Sequence, residues 1–248
     1  MTTVKNIYDY LNSIAPFDTQ EEWDNSGFLI GDFRKEVKCV VLSLDATLDA
    51  VNYAKSVNAD LLITHHPVIF GGIDCVQKGS AVYELVKNNI AQISTHTCFD
   101  KANEGIAEKM AEILLLEDVE LIDGGNIAVG NLNCEMSIDD LAELASTLFD
   151  SDKTTFTNTD KIIKRVATAG GASGDFTTLA FENADCFVLG EMKYHEMLDC
   201  AERGEAVLCL GHFESENKPF LKLKDKLEQL FTDVEFLTPP ERKYIIGL

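Results

Sequence analysis

The chain is poor in positive charge: 21 Lys and Arg face 42 Asp and Glu over 248 residues, a formal net charge of -21. Its basic residues form no run that could follow a phosphate backbone. Duplex nucleic acid is bound mainly by basic side chains that displace counterions, so nucleic acid is not an expected partner. The one local basic cluster, Lys161 to Arg165, is small. The same field repels free polyanions unless bound cations reverse its sign locally. No segment approaches the apolar length that spans a bilayer, and MTTVKNIYDYLNSIAP has no cationic stretch leading into an apolar one. A cytoplasmic protein without a membrane partner is expected. The seven cysteines contain no C-x-x-C pair and several lie in apolar runs, which points away from a zinc knuckle and toward buried free thiols in a reducing compartment. There is neither the Lys-Ser/Thr of a P-loop nor a full G-x-G-x-x-G.

What is present is an alternating pattern. The β-branched apolar runs 37–44, 61–64 and 90–95 predict strands, and the stretches 48–56 and 81–89 between them have helical spacing. The second half repeats this, with strands at 163–169, 186–189 and 206–210 and a helix at 191–203. Such alternation implies parallel βαβ units. Asn58-Ala59-Asp60 before one strand is echoed by Asn183-Ala184-Asp185 before another, an offset of 125 that also carries Asp45 onto Gly170-Gly171. The expectation is an α/β fold of two similar halves, an internal pseudo-repeat with mixed, mainly parallel sheets. IDGGNIAVGNLNCEMS marks a turn-rich boundary near 123–131, and Ser137 with Asp140 starts a helix through Phe149 in capping-box fashion. The halves are therefore placed at 1–125 and 126–248, with the C-terminal segment packing back on the first.

Of only five histidines, His65, His66, His96 and His212 stand at or just beyond predicted strand ends, where ligands bind in open α/β sheets. His65-His66 leaves its strand before Pro67; taken alone the pair reads as one packed and one solvated ring, and in the company of the other candidates it can direct both imidazoles into one site or onto two neighbouring ions. Asp100 is either an N-cap for the chain from Lys101 or a carboxylate able to bridge two cations. His96 either ligates directly or, the preferred reading, orients Asp100 from behind. His212 and Glu216, four residues apart, share one face of a helix, whereas Glu214 points away as solvated first-turn charge. Three imidazoles with two carboxylates suit Zn, Mn or Fe and not Ca or Cu(I). Glu21, Glu22 and Asp24 read as a solvated face, the Gly170–Gly174 loop as a tight turn first and an anion site second, and His195 as a helical residue near the cleft.

With WDNSGFLIG (23–31), LDAT (44–47), ITHHPVIF (63–70), STHTCFD (94–100) and GHFESE (211–216), the chain resembles the YbgI-like, or Nif-three-like, dinuclear metal centre proteins, often called GTP cyclohydrolase I type 2 homologues. The resemblance runs over essentially the whole length. It implies two α/β domains, a ring-shaped homohexamer, and two divalent ions (Zn, Fe or Mn) in the cleft between the halves on the positions matching His65, His66, Asp100, His212 and Glu216. Cys98 stands where an asparagine is common. The resemblance suggests a metal-dependent hydrolase opening a purine nucleotide ring, and in such a reaction His96 or His195 is the candidate proton carrier. A metal carrier, insertion factor or regulatory scaffold without turnover is the alternative, and a ring threaded by nucleic acid is disfavoured by the charge.

Overall fold

The structure of the protein, a computed structural model, describes residues 1–242, 244 and 245. The described strands are, in chain order, β1 (Gly27–Ile30), β2 (Cys39–Ser43), β3 (Leu61–Thr64), β4 (Ala91–Ser94), β5 (Glu117–Ile122), β6 (Ile127–Met136), β7 (Thr155–Phe156), β8 (Ile163–Ala169), β9 (Cys186–Leu189), β10 (Ala206–Cys209) and β11 (Glu235–Leu237). They are divided between two compact units, one of Met1–Ala102 with Phe220–Arg242 and one of Asn103–Pro219 with residues 244 and 245.

The first unit holds a five-stranded sheet in the order β1-β4-β3-β2-β11, parallel throughout except where β1 pairs antiparallel with β4. Every residue of β3 and β4 is buried, as expected of parallel strands covered on both faces; β3 is apolar up to Thr64, whereas β4 buries Gln92 and Ser94 beside Ala91 and Ile93. The helix Leu48–Ser56 is capped by Thr47, whose hydroxyl accepts from Ala50 N, and it lays Ala50, Val51 and Ala54 against the sheet. Val41, Leu62, Leu85 and Ile90 complete that core.

The second unit has a six-stranded sheet, β5-β6-β8-β9-β10-β7, whose centre β8-β9-β10 is parallel and whose flanking strands are antiparallel. Ile127, Val129, Ala167, Phe187, Leu189 and Val207 form its core. The helix Ile138–Phe149 begins where the sequence placed it, with the Ser137 side chain accepting from Asp140 N. The predicted turn-rich boundary contracts to Asp123–Gly125, where Gly124 and Gly125 take positive φ, and the chain then runs straight into the ten-residue strand β6. Gly130 belongs to that strand and makes no turn. A Cβ there would lie 2.8 Å from Leu116 Cβ and 3.1 Å from Glu117 O, so it is glycine because β5 approaches closely.

The repeat extends to individual hydrogen bonds. Asp60 Oδ2 accepts from Lys38 N and Cys39 N, and Asp60 N donates to Cys39 O. In the second unit Asp185 Oδ2 accepts from Lys164 N and Arg165 N, and Asp185 N donates to Arg165 O. In each unit the aspartate ahead of the middle strand thus clamps the start of the strand beside it. No helix among the described residues is long and apolar enough to cross a membrane. All seven cysteines are free, and Cys39, Cys98, Cys186, Cys200 and Cys209 are buried.

Candidate metal centre

In the first unit β3 ends at Thr64, and the amides of His65 and His66 both donate to Leu44 O, at 3.1 and 3.0 Å. Three buried hydroxyl and amide groups grip this corner. Thr64 Oγ1 donates to His66 O at 2.6 Å, Ser94 Oγ to His65 O at 2.9 Å, and Gln92 Nε2 to Thr64 Oγ1 at 2.8 Å. The His65 ring is fully buried, and its Nδ1 lies 2.8 Å from Thr95 O. A carbonyl only accepts, so Nδ1 carries the proton and Nε2 bears the lone pair of the neutral ring. That Nε2 lies 3.3 Å from Asp100 Oδ1, a buried oxygen that accepts no hydrogen bond from the described residues. Two electron-pair donors face each other across a gap where a proton or a cation belongs.

His66 and His96 follow the same rule. His66 Nδ1 donates to Asp45 Oδ1 at 2.6 Å and His96 Nδ1 to Asp24 Oδ1 at 2.9 Å. The three rings lie close together, with centroids 5.0 Å (His65–His66), 5.1 Å (His65–His96) and 5.3 Å (His66–His96) apart. One ligand atom from each falls within 4.8 Å of the others. A carboxylate or carbonyl on one ring nitrogen is the usual way to aim the other at a metal. His96 is oriented by Asp24 and is not itself hydrogen-bonded to Asp100. Asp100 closes the short helix Thr97–Asp100 and does not cap a helix from Lys101.

Asp24 corrects the reading of its segment as solvated. Its side chain is fully buried and also accepts from Asn25 N, Ser26 Oγ, Thr97 N and Thr97 Oγ1. Burial pushes its carboxyl upward, but the bonds from His96 and Thr97 outweigh this and hold it well below the usual carboxylate range. Glu21 pairs with Lys101 at 2.8 Å, and only Glu22 is exposed as expected. Cys98 is buried, shares a hydrogen bond with Thr95 Oγ1 at 3.6 Å, and has its thiol pKa raised by burial.

In the second unit, Gly211 turns the chain after β10 at φ +103 and the helix His212–Leu221 follows. His212 Nδ1 donates to Glu191 Oε1 at 3.0 Å, and its Nε2 lies 3.2 Å from Glu216 Oε2, one helical turn on. Glu216 is buried, and so is Glu214, which faces Lys153 Nζ at 3.8 Å instead of standing in solvent. The glycine pair has a purpose other than holding an anion. Gly171 sits at φ +61, a Cβ on it would overlap Glu216 Oε1, and its N–H already donates to Ser215 Oγ at 3.0 Å. A Cβ on Gly170 would overlap Ile106. The loop makes room for the carboxylate. His195 is exposed at the start of the helix Tyr194–Glu202, apart from these pairings.

Buried His and Glu groups able to hold a metal ion are therefore present, and their nitrogen and oxygen donors fit a divalent ion of the Zn, Mn or Fe type. The sequence reading chose His65, His66, Asp100, His212 and Glu216 but missed the carboxylates Asp24, Asp45 and Glu191 that aim the rings. Asp45 stands just beyond the end of β2, as Asp100 does beyond β4, but its neighbours in Leu-Asp-Ala-Thr carry no sign of the ring it holds 21 residues on.

The family described as Duf34/NIF3 (NGG1p interacting factor 3) matches residues 2–242. Among relatives, the GTP cyclohydrolase 1 type 2 homolog of Clostridium perfringens is 30% identical over 254 residues, covering 97% of this chain and 97% of that protein. Its namesake from Campylobacter jejuni is 34% identical over 218 residues, 86% and 87% of the two chains. The fold matches Staphylococcus aureus protein SA1388 with a TM-score of 0.91 at 23% identity, over 98% of this chain and 99% of that one. It also matches protein ybgI, described as of unknown function, with a TM-score of 0.85 at 20% identity, over 98% and 100%.

Proposed function

The chain belongs to the Duf34/NIF3 family, and from that premise we propose that it is a dinuclear metal protein acting as a metal-dependent hydrolase of the GTP cyclohydrolase 1 type 2 kind. His65, His66, Asp100, His212 and Glu216 are its ligands. One observation carries the reading: His65, His66, His96 and His212 each have Nδ1 engaged by an oxygen that only accepts, which leaves every Nε2 to donate an electron pair.

When bound, divalent ions at these donors supply Lewis acidity toward a carbonyl or ring C=N group and acidify water. The protein's part is to hold the donors still. The Thr95 carbonyl and the carboxylates of Asp45 and Glu191 fix the rings of His65, His66 and His212, while Gly171 gives Glu216 its place. His96, locked by Asp24 beside the other imidazoles, exchanges protons at Nε2. His195, exposed and outside these pairings, is the weaker second proton carrier. The relatives' names suggest a purine nucleotide as substrate, and a homohexameric ring in the cytoplasm belongs to the same proposal.

Hydrolysis of GTP, simple phosphoesters and amides by zinc-, manganese- and iron-reconstituted protein tests this. The expected result is metal-dependent turnover, absent in His65→Ala and reduced at least about tenfold in His96→Gln with metal retained. Metal that binds and exchanges with no turnover on any of these substrates contradicts the hydrolase and moves the assignment to the carrier alternative.

A further inference from the structure

Trp23 and Phe70 are large rings left 58% and 59% exposed in a unit with a well-filled core. Single exposed apolar side chains are ordinary, but these two act as a set. Their centroids lie 5.8 Å apart, and both rings stand edge-on to His96, at 5.7 and 6.3 Å. They come from separate loops, WDNS and HHPVIF, which are tied together by Asn25 Nδ2 donating to Ile69 O at 2.7 Å. The Trp23 loop is fixed further by the saturated Asp24 carboxylate next to it. The pair is thus an aromatic rim, its two loops tied together, on the imidazole that the proposed reaction uses.

We infer that Trp23 and Phe70 form a stacking platform for the planar heteroaromatic ring of the substrate, and that their surroundings select an uncharged ring system over one carrying a polyphosphate. Aromatic side chains offer planar heterocycles their π-faces at about 1–3 kcal/mol per stacked base. The charge nearby argues against phosphate. Residues 20–26 and 66–80, which carry the two rings, contain Glu21, Glu22, Asp24 and Asp74 against Lys78, and with Lys101 pairing Glu21 the surroundings keep a net negative charge. A triphosphate lying along these loops, and not on the bound cations, meets repulsion that a bare nucleoside does not.

This inference rests on the metal-site reading for its location, and the two can fail separately. Trp23 is the chain's only tryptophan, so its emission reports on the platform alone. Guanosine, GTP and ribose are titrated into zinc-reconstituted protein while metal content is measured on the same samples. Guanosine is expected to quench saturably, GTP to bind at least a few-fold more weakly, and ribose to do nothing. Phe70→Ala should raise the guanosine dissociation constant about tenfold, and Phe70→Tyr should stay within about twofold of the wild type. Full metal content with no saturable quenching overturns the platform and leaves the metal reading standing. Quenching in protein that takes up none of zinc, manganese or iron upholds the platform and sinks the metal reading. GTP binding more tightly than guanosine overturns the charge selection, and emission that follows protein concentration in place of guanosine overturns the platform in favour of an interface between copies.

Discussion

The parallel cores β2-β3-β4 and β8-β9-β10 share a scaffold and differ at its working end. Both have the aspartate clamp, Asp60 in one unit and Asp185 in the other, on matching backbone amides. Beyond the middle strand one unit continues with His65-His66 and the other, 125 residues later, with Gly190-Glu191. His66 is held by a carboxylate from the neighbouring strand end, Asp45, whereas Glu191 is the carboxylate and holds a histidine, His212. Glu191 stands where His66 does, but its partner comes from a different strand end: Asp45 beyond β2 in one unit, where the other has Gly170-Gly171, and His212 beyond β10 in the other. Strand ends can therefore be rewritten while the scaffold beneath stays constant, because the clamp uses backbone amides and the candidate ligands are side chains beyond them.

Metal content separates the two units most strongly. If both units supply ligands, His65→Ala and His212→Ala should each cost more than about a hundredfold in metal affinity, since changes merely behind a ligand already cost 10–100-fold. Loss in one variant and not the other would confine the centre to a single unit. Competition with a chromophoric chelator measures this.

Asp24→Ala should come next, at about 3 kcal/mol of stability, because it strips a buried group that accepts five hydrogen bonds and strands His96. Urea unfolding followed by circular dichroism gives the number. The pH dependence has a definite sign. The folded pKa of Asp24 lies below its unfolded value, so its contribution is fully present above the ordinary carboxylate range and is lost as pH falls through that range toward the folded pKa. Between about pH 5 and pH 3 the wild type should lose stability more steeply than Asp24→Asn, and parallel slopes would refute the assignment.

Gly171→Ala separates room for a carboxylate from backbone strain. It should lose about 2 kcal/mol and bind metal about tenfold more weakly, whereas Gly204→Ala, at φ +71 with nothing within 4 Å, should lose about 1 kcal/mol and keep its metal. Equal metal affinity in the two variants would show that Gly171 does not serve Glu216. The smallest effect is the sharpest test of the repeat. Asp60→Ala and Asp185→Ala should each cost about 1–2 kcal/mol and speed hydrogen exchange at amides 38 and 39 or 164 and 165, respectively. A silent member of the pair would deny the equivalence.

The strands of the two parallel cores were legible because buried parallel strands write continuous apolar runs, and β3, β8 and β9 match their sequence bounds to the residue. The others were hidden for physical reasons. β5 and β7 are mostly exposed, β1 and β11 are short, and Gly130 disguises β6 as a turn. The ligand candidates were legible from their place at strand ends. The acids behind them were not: Asp24 lies 72 residues from the ring it holds, and in sequence a buried acceptor of five hydrogen bonds looks the same as a solvated acid. Likewise Glu214 shares its spacing with a surface residue and is nonetheless buried.

Native mass spectrometry of protein reconstituted with zinc, manganese or iron, wild type beside Glu216→Ala, tests the central claim most directly. Two ions per wild-type chain and a loss of at least one in the variant are expected, with no change in fold by circular dichroism. A folded wild-type chain that takes up none of the three metals would contradict it.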